Sequence, residues 1–223
     1  MSKSGYYEAR DNQLITGLSY TARKRVYDKF AAHFADAGSI LDVGVTSERT
    51  APEANFLERL HPHKERITAA GIEDASFLQS EYPGVKFVRI EPNRPLPFAD
   101  ASFDVVFSHA VVEHVVDPAQ RRFFVAELLR VGKAAFITTP NKFFPIEPHT
   151  RMPLLHFLWP RLFYWLCDRR VVSRFYSSAN LKLLSMREFR ELFDLPGWAV
   201  EADRVRLGGI TSNLILTVKR RAD

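Results

Sequence analysis

The stretch Ser39-Ile40-Leu41-Asp42-Val43-Gly44 decides the fold. It is a short apolar run that ends at an acid and leaves through a glycine, and Gly38 closes the segment before it. An apolar run of this length, without alternation, reads as a strand buried on both faces. Upstream, Leu18, Ala22, Val26, Phe30 and Phe34 recur every four residues, which makes Leu14 to Phe34 a helix with one apolar stripe. Downstream, strands and helices alternate. A helix over Pro52 to Leu60 precedes a strand from Arg66 to Glu73. A short helix from Ser76 to Glu81 leads through the turn Tyr82-Pro83-Gly84 into a strand from Val85 to Ile90. After the Pro-rich loop Pro92 to Pro97 comes a strand, Phe103 to Ser108. A helix then starts at Asp117-Pro118 and runs to Val131, and a fifth strand, Lys133 to Thr139, is stopped by Pro140. Apolar strands separated by helices predict an α/β fold, with a doubly wound, mostly parallel sheet covered on both faces.

The end of the chain breaks this rhythm. A helix from Met186 to Phe193 is followed by two strands, Trp198 to Val205 and Asn213 to Lys219, joined at Gly208-Gly209. With no helix between them they form an antiparallel hairpin at the sheet edge. A plain dinucleotide-binding fold does not predict that ending.

The chain has 223 residues, 46% of them hydrophobic, enough for the core of one α/β domain. The net charge of +5 comes without a long basic block, since Arg169-Arg170 and Lys219-Arg220-Arg221 are short. That argues for a solvated basic surface, and no nucleic acid partner is expected. The single cysteine, Cys167, lies in an apolar run, excludes an intramolecular disulfide and reads as a small core residue in a reducing compartment. The first residues lack the apolar region of a signal peptide, and no run is long enough to span a bilayer, so the expected location is the cytoplasm.

In open α/β sheets, ligands bind at the carboxyl ends of the strands, where the strand order reverses. Asp42 ends the first strand, and Gly44 lets a ligand approach the backbone without a Cβ in the way. Glu73, 31 residues on, ends the second strand and is placed to accept both hydroxyls of a ribose. The chain has no Gly-x-Gly-x-x-Gly turn, which disfavours a nicotinamide oxidoreductase.

The order Leu41-Asp42-Val43-Gly44, Gly71-Ile72-Glu73, Leu96-Pro97-Phe98 through Ser102-Phe103-Asp104, and Val112-Glu113-His114-Val115 resembles the class I S-adenosylmethionine-dependent methyltransferases. The likeness is to the small-molecule group with an LPF…SFD…EH signature and covers roughly Ile40 to Pro140. It implies a Rossmann-like methyltransferase fold of seven strands, the last antiparallel, and S-adenosylmethionine as cofactor. On that resemblance, residues 1–223 form a single methyltransferase domain, with 141–180 as an inserted acceptor or lid segment. Asp42 and Gly44 match the surroundings of the cofactor's methionine part, and Glu73 matches the ribose-binding acid. Glu91 and Asn93 flank the adenine, and Ser108 and His109 line the cofactor near its sulfonium. Two positions depart from the family pattern. Thr46 and Glu48 stand where further glycines are usual, and Pro92 stands where an adenine-binding Asp is frequent. A sulfonium–carboxylate ligand has no pyrophosphate to cradle, and the hydroxyls of Thr46 and Ser47 are able to donate to its carboxylate.

The loop after the fifth strand, Asn141 to Arg151, gathers Asn141, Lys142, Glu147, His149 and Arg151. It reads either as a solvated loop or as an acceptor-binding loop with Glu147 or His149 as general base. A sulfonium donor is already activated, so positioning the nucleophile in line is enough in many such enzymes. His61-Pro62-His63 reads as a surface turn rather than a metal pair, since no acid or Cys cluster adjoins it, and no metal site is expected. His114 reads as structural. The apolar segment Met152 to Cys167 is interrupted by Pro160. It has three open readings: a helical lid, a peripheral membrane contact through 152–174 with Arg169, Arg170 and Arg174 meeting anionic lipid, or a dimer contact. The membrane reading would place the protein at the inner face of the membrane. The expected function is methyl transfer to a small-molecule or glycan acceptor, with oxygen the favoured atom. The alternative is a catalytically degenerate, methyltransferase-like binding or assembly module.

Overall fold

The computed structural model describes residues 13–150 and 152–221. In chain order the elements are α1 (Gln13–Phe34), β1 (Ile40–Val43), α2 (Phe56–Leu60), β2 (Ile67–Gly71), α3 (Leu78–Glu81), β3 (Lys86–Arg89), β4 (Val105–His109), α4 (Pro118–Val131), β5 (Ala134–Pro140), α5 (Leu155–Leu158), α6 (Pro160–Asp168), α7 (Met186–Glu191), β6 (Trp198–Leu207) and β7 (Ile210–Arg220). All seven strands join one sheet in the order β3-β2-β1-β4-β5-β7-β6. The first five are parallel, and β7 runs antiparallel to both β5 and β6. The sheet is therefore mostly parallel, with a terminal antiparallel hairpin.

The central strands are buried throughout, as their apolar runs require. One face packs Val26 and Phe30 of α1 against Ile40, Phe107 and Phe136. The other packs Val125 and Leu128 of α4 with Leu41, Val106 and Ile137. Asp117 caps α4 by accepting from the amides of Ala119 and Gln120, with Pro118 in the first turn. α2 is shorter than the expected Pro52 to Leu60, because the chain reaches it through turns and Asn55 sits at a positive φ of 46°. Pro140 is the last residue of β5 rather than its stop: it pairs with Asn213 on β7, where its missing N–H costs no ladder bond on the far side of the pair. His61 is buried rather than on a surface turn, packed edge-on against Tyr27 with its Nδ1 accepting from the His63 amide.

The Leu96 to Asp104 stretch is fastened by charge. Arg130 donates to the carbonyls of Leu96 and Phe98 and to Asp100, and Glu127 accepts from the Leu96 amide while pairing with Arg130. Asp104 accepts from the amides of Gly38 and Ser39 and from Lys133. Leu96 and Phe103 are buried in the core. The side chains of the LPF…SFD stretch thus hold the entry to β4 in place.

The segment after β5 carries a small core of its own: Phe163, Cys167, Val172, Tyr176, Leu181 and Leu183. The apolar segment is interrupted at Pro160, which ends the run after α5 and opens α6. Among the described residues, no helix is long and apolar enough to cross a membrane.

Candidate active site

The chain runs outward from β1 to β3, then returns to lay β4 on the other side of β1. Ligand crevices form at such a reversal. A cavity of about 440 Å3 opens there. Its wall includes Asp42, Gly44, Thr46, Glu73, Glu91, Asn93, His109 and His149. Ser47, Ser108 and Glu147 do not line it.

Gly44 needs to be glycine twice over. Its φ is +116°, and a Cβ there would lie 2.2 Å from Val111 Cγ2. The glycine at the tip of β1 thus makes room for Val111, which packs where its Cβ would stand. The turn that follows spends its donors on the protein. The Thr46 amide donates to Asn55 Oδ1 at 2.9 Å, and Ser47 donates through N–H and Oγ to Glu73 Oε2, at 3.2 and 2.6 Å. Ser47 therefore braces Glu73 instead of facing a ligand carboxylate. Glu91 is exposed on the rim, and Asn93 holds a positive φ of 58° there.

Asp42 is buried at the base of the cavity, beside the buried Glu58. Burial, and then Glu58 itself, push the Asp42 carboxyl well above the usual carboxylate range, and burial raises Glu58 to about 7. Burial thus favours the protonated form at both carboxyls. Ser108 and His109 belong to β4 rather than following it. Ser108 donates to the Val43 carbonyl at 2.9 Å and so ties β4 to β1. His109 lies 2.6 Å from Thr138 Oγ1 under an edge contact with Phe56. Burial and the Arg23 charge hold His109 well below its ordinary value, so it is neutral.

His149 lines the cavity as well, with Glu147 behind it. Glu147 is fully buried and accepts from the His149 amide, His149 Nδ1, the Thr150 amide and Thr150 Oγ1. Burial alone would raise its carboxyl, but the His149 charge and these hydrogen bonds outweigh that and hold it at about 2. Glu147 therefore orients His149 and does not reach the cavity as a base. Burial disfavours the His149 cation, yet the neighbouring Glu147 raises it above its ordinary value. Tyr176 packs against both His149 and His114, with ring centroids 4.8 and 5.7 Å away. Asn141 bonds backbone on β7 and Lys142 lies 3.8 Å from Glu188, so neither faces the cavity, and Arg151 lies outside the described residues.

Two cavity residues escape sequence reasoning. Arg23, on α1, lines the cavity, and its charge acts on both His109 and His149. Its signal was faint: it flanks the apolar stripe at Leu18, Ala22 and Val26, next to Ala22. Tyr176 carries no motif at all and arrives through the small core after β5.

Residues 41–135 match a family model described as a methyltransferase domain. No curated protein matches the chain. Solved structures do. A 1,6-didemethyltoxoflavin N1-methyltransferase from Burkholderia thailandensis, solved with its substrate and S-adenosylhomocysteine, is 16% identical, with a TM-score of 0.62 over 98% of this chain and 84% of that one. A possible histamine N-methyltransferase from Thermotoga maritima is 15% identical, with a TM-score of 0.58 over 93% and 92%. The cyclase SpnF is 16% identical, with a TM-score of 0.58 over 100% and 89%. At these identities the likeness is one of fold, and the cyclase shows that the fold alone does not fix the reaction.

Proposed function

We propose that this chain binds S-adenosylmethionine across the tips of β1 and β2 and transfers its methyl group to an oxygen of a small-molecule or glycan acceptor. The observation that carries this reading is one continuous cavity lined by Gly44, Glu73 and His149 together. Gly44 lines the cavity, and its backbone fits a ligand chain laid against it. Glu73, braced by Ser47, accepts the ribose hydroxyls through its remaining oxygen, and Asn93 and Glu91 flank the base. Arg23 supplies the cation for the methionyl carboxylate, the role that Ser47 is too committed to play.

The sulfonium supplies an activated methyl group: the S–CH3 bond breaks with its electron pair going to sulfur, an O–CH3 bond forms, and the acceptor's proton is released. The protein's part is placement in line and exclusion of water. His149, oriented by Glu147, holds the acceptor oxygen. The 141–180 segment forms the acceptor side of the cavity as a lid within one methyltransferase domain. Its outer face, with Leu158, Trp159, Leu162 and Trp165 exposed and Arg169 stacked on Trp165, suits an anionic membrane surface.

Isothermal titration with S-adenosylmethionine tests the cofactor half: binding in the micromolar range is expected, and a well-folded protein that stays silent at about 1 mM overturns it. One observation favours a second reading, a binding module without transfer. The turn after Gly44 uses its own donors internally, at Thr46 and Ser47. That reading stands if titration shows no cofactor.

A further inference from the structure

We propose that Glu113, His114 and His149 form a divalent-metal site on the cavity wall, suited to a first-row cation such as Co2+, Zn2+ or Mn2+. One ligand atom from each of the three lies within 4.8 Å of the others, and His149 Nε2 stands 3.9 Å from Glu113 Oε1. Ligands on one such ion, each about 2.1 Å away, are roughly 3.0–3.5 Å apart. Closing on an ion therefore asks each side chain to move inward by about 1 Å or less, within rotamer play.

The second observation is independent of that spacing. Glu113 is fully buried, and its Oε1 has no hydrogen-bond partner. A buried carboxylate oxygen left bare is costly, and a cation at this point satisfies it. The rest of each ligand is already held. Thr139 Oγ1 donates to Glu113 Oε2 at 2.9 Å. His149 is fixed through Nδ1 by Glu147 at 2.6 Å, and His114 through Nδ1 by the Asn180 carbonyl at 3.0 Å. For His149 that leaves Nε2 turned to Glu113 Oε1. Outer contacts of this kind orient metal-ligating imidazoles and carboxylates.

Two imidazoles and one carboxylate form a borderline nitrogen–oxygen set, which suits these ions better than Ca2+ or Mg2+. Three protein ligands also leave coordination positions open, the mark of a reactive rather than a structural site. His114 and His149 both line the cavity, so the open positions face it. There an acceptor hydroxyl binds through oxygen and is acidified, its proton passing to solvent as the O–CH3 bond forms. This last use rests on the function proposed above, whereas metal binding itself does not.

The test uses the full chain, stripped with EDTA and titrated with Co2+ by calorimetry and visible absorption. One equivalent is expected to bind, with bands of nitrogen–oxygen ligation. Glu113→Gln and His149→Ala should each weaken binding at least tenfold, and Glu147→Gln by about 10- to 100-fold through the lost orientation of His149. A double His61→Ala, His63→Ala variant should bind as the parent does. If Glu113→Gln fails to fold by circular dichroism, His149→Ala decides, read as loss of the Co2+-induced rise in thermal midpoint. No binding at about 1 mM, or binding undiminished in His149→Ala, overturns the site. S-adenosylmethionine titrated into the same stripped protein separates the two proposals: Co2+ binding without it overturns only the cofactor, and the reverse only the metal.

Discussion

At the Glu73 end of the cavity, Asp42, Gly44, Thr46 and Glu73 all stand within a few residues of the tips of β1 and β2. The His149 end is assembled differently: Glu113 and His114 come from the turn after β4, His149 from the loop after β5, and Tyr176 from beyond α6. The first end is a glycine strand tip and a braced acid, suited to a ligand common to many reactions. The second is a packed set of titratable groups and rings, suited to selecting one acceptor. A strand tip places its residues by local geometry alone, while a wall drawn from distant segments changes whenever any of them does. Binding and acceptor chemistry should therefore separate under mutation.

The largest effect should fall on the acceptor end alone. His149→Ala is expected to lower turnover by about 100- to 10,000-fold, as loss of a group acting on the reacting atom does. Affinity for S-adenosylmethionine, measured by calorimetry, should hardly change, and a parallel loss of affinity would merge the two ends into one.

Next in size is a stability effect at the base of the cofactor end. Glu58 is buried and raised from its ordinary 4.5 to about 7, so the folded state holds a proton that the unfolded chain releases. Stability is therefore greatest below about pH 4.5 for this group and declines as pH rises to about 7, by on the order of 3 kcal/mol. Urea unfolding of Glu58→Gln between pH 5 and 8 should show a flatter decline than the parent, and an equal slope would remove the protonated pair.

The mirror of the first variant is Glu73→Ala. It should weaken S-adenosylmethionine binding about 10- to 100-fold, the worth of a charged hydrogen bond to a ribose, with an unchanged Co2+ titration. Unchanged affinity would take the ribose away from Glu73.

The smallest effect belongs to the outer face of the acceptor side. Replacing Trp159 and Trp165 by Ala should reduce co-sedimentation with phosphatidylglycerol vesicles by roughly tenfold or less. Parent protein that stays in the supernatant would leave that face to a protein contact.

The LPF…SFD residues were legible because they serve the fold: Leu96 and Phe103 are core, and Asp100 and Asp104 are fixed by Arg130 and Lys133. Core residues and strand tips follow periodicity and turn chemistry, which a sequence displays. Ser47 and Glu147 were legible as polar residues near the site but not in their partners. Both turn to another protein group, Glu73 and His149, and no spacing predicts which way a hydroxyl or carboxylate points. His61-Pro62-His63 drew the eye as a histidine pair, whereas the histidines that meet a buried acid are His114 and His149, 35 residues apart.

The sequence by itself determined the order of strands and helices, the glycine at the tip of β1, the acid at the end of β2 and the closing hairpin. Each follows from apolar period, backbone sterics or turn composition, all properties of neighbours along the chain. Only the tertiary structure decided that α1 brings Arg23 over the cavity, that Ser47 braces Glu73, and that Glu113 and His114 face His149. Those contacts depend on how three segments pack across the sheet, and packing is set by the summed burial of the whole core rather than by any local signal.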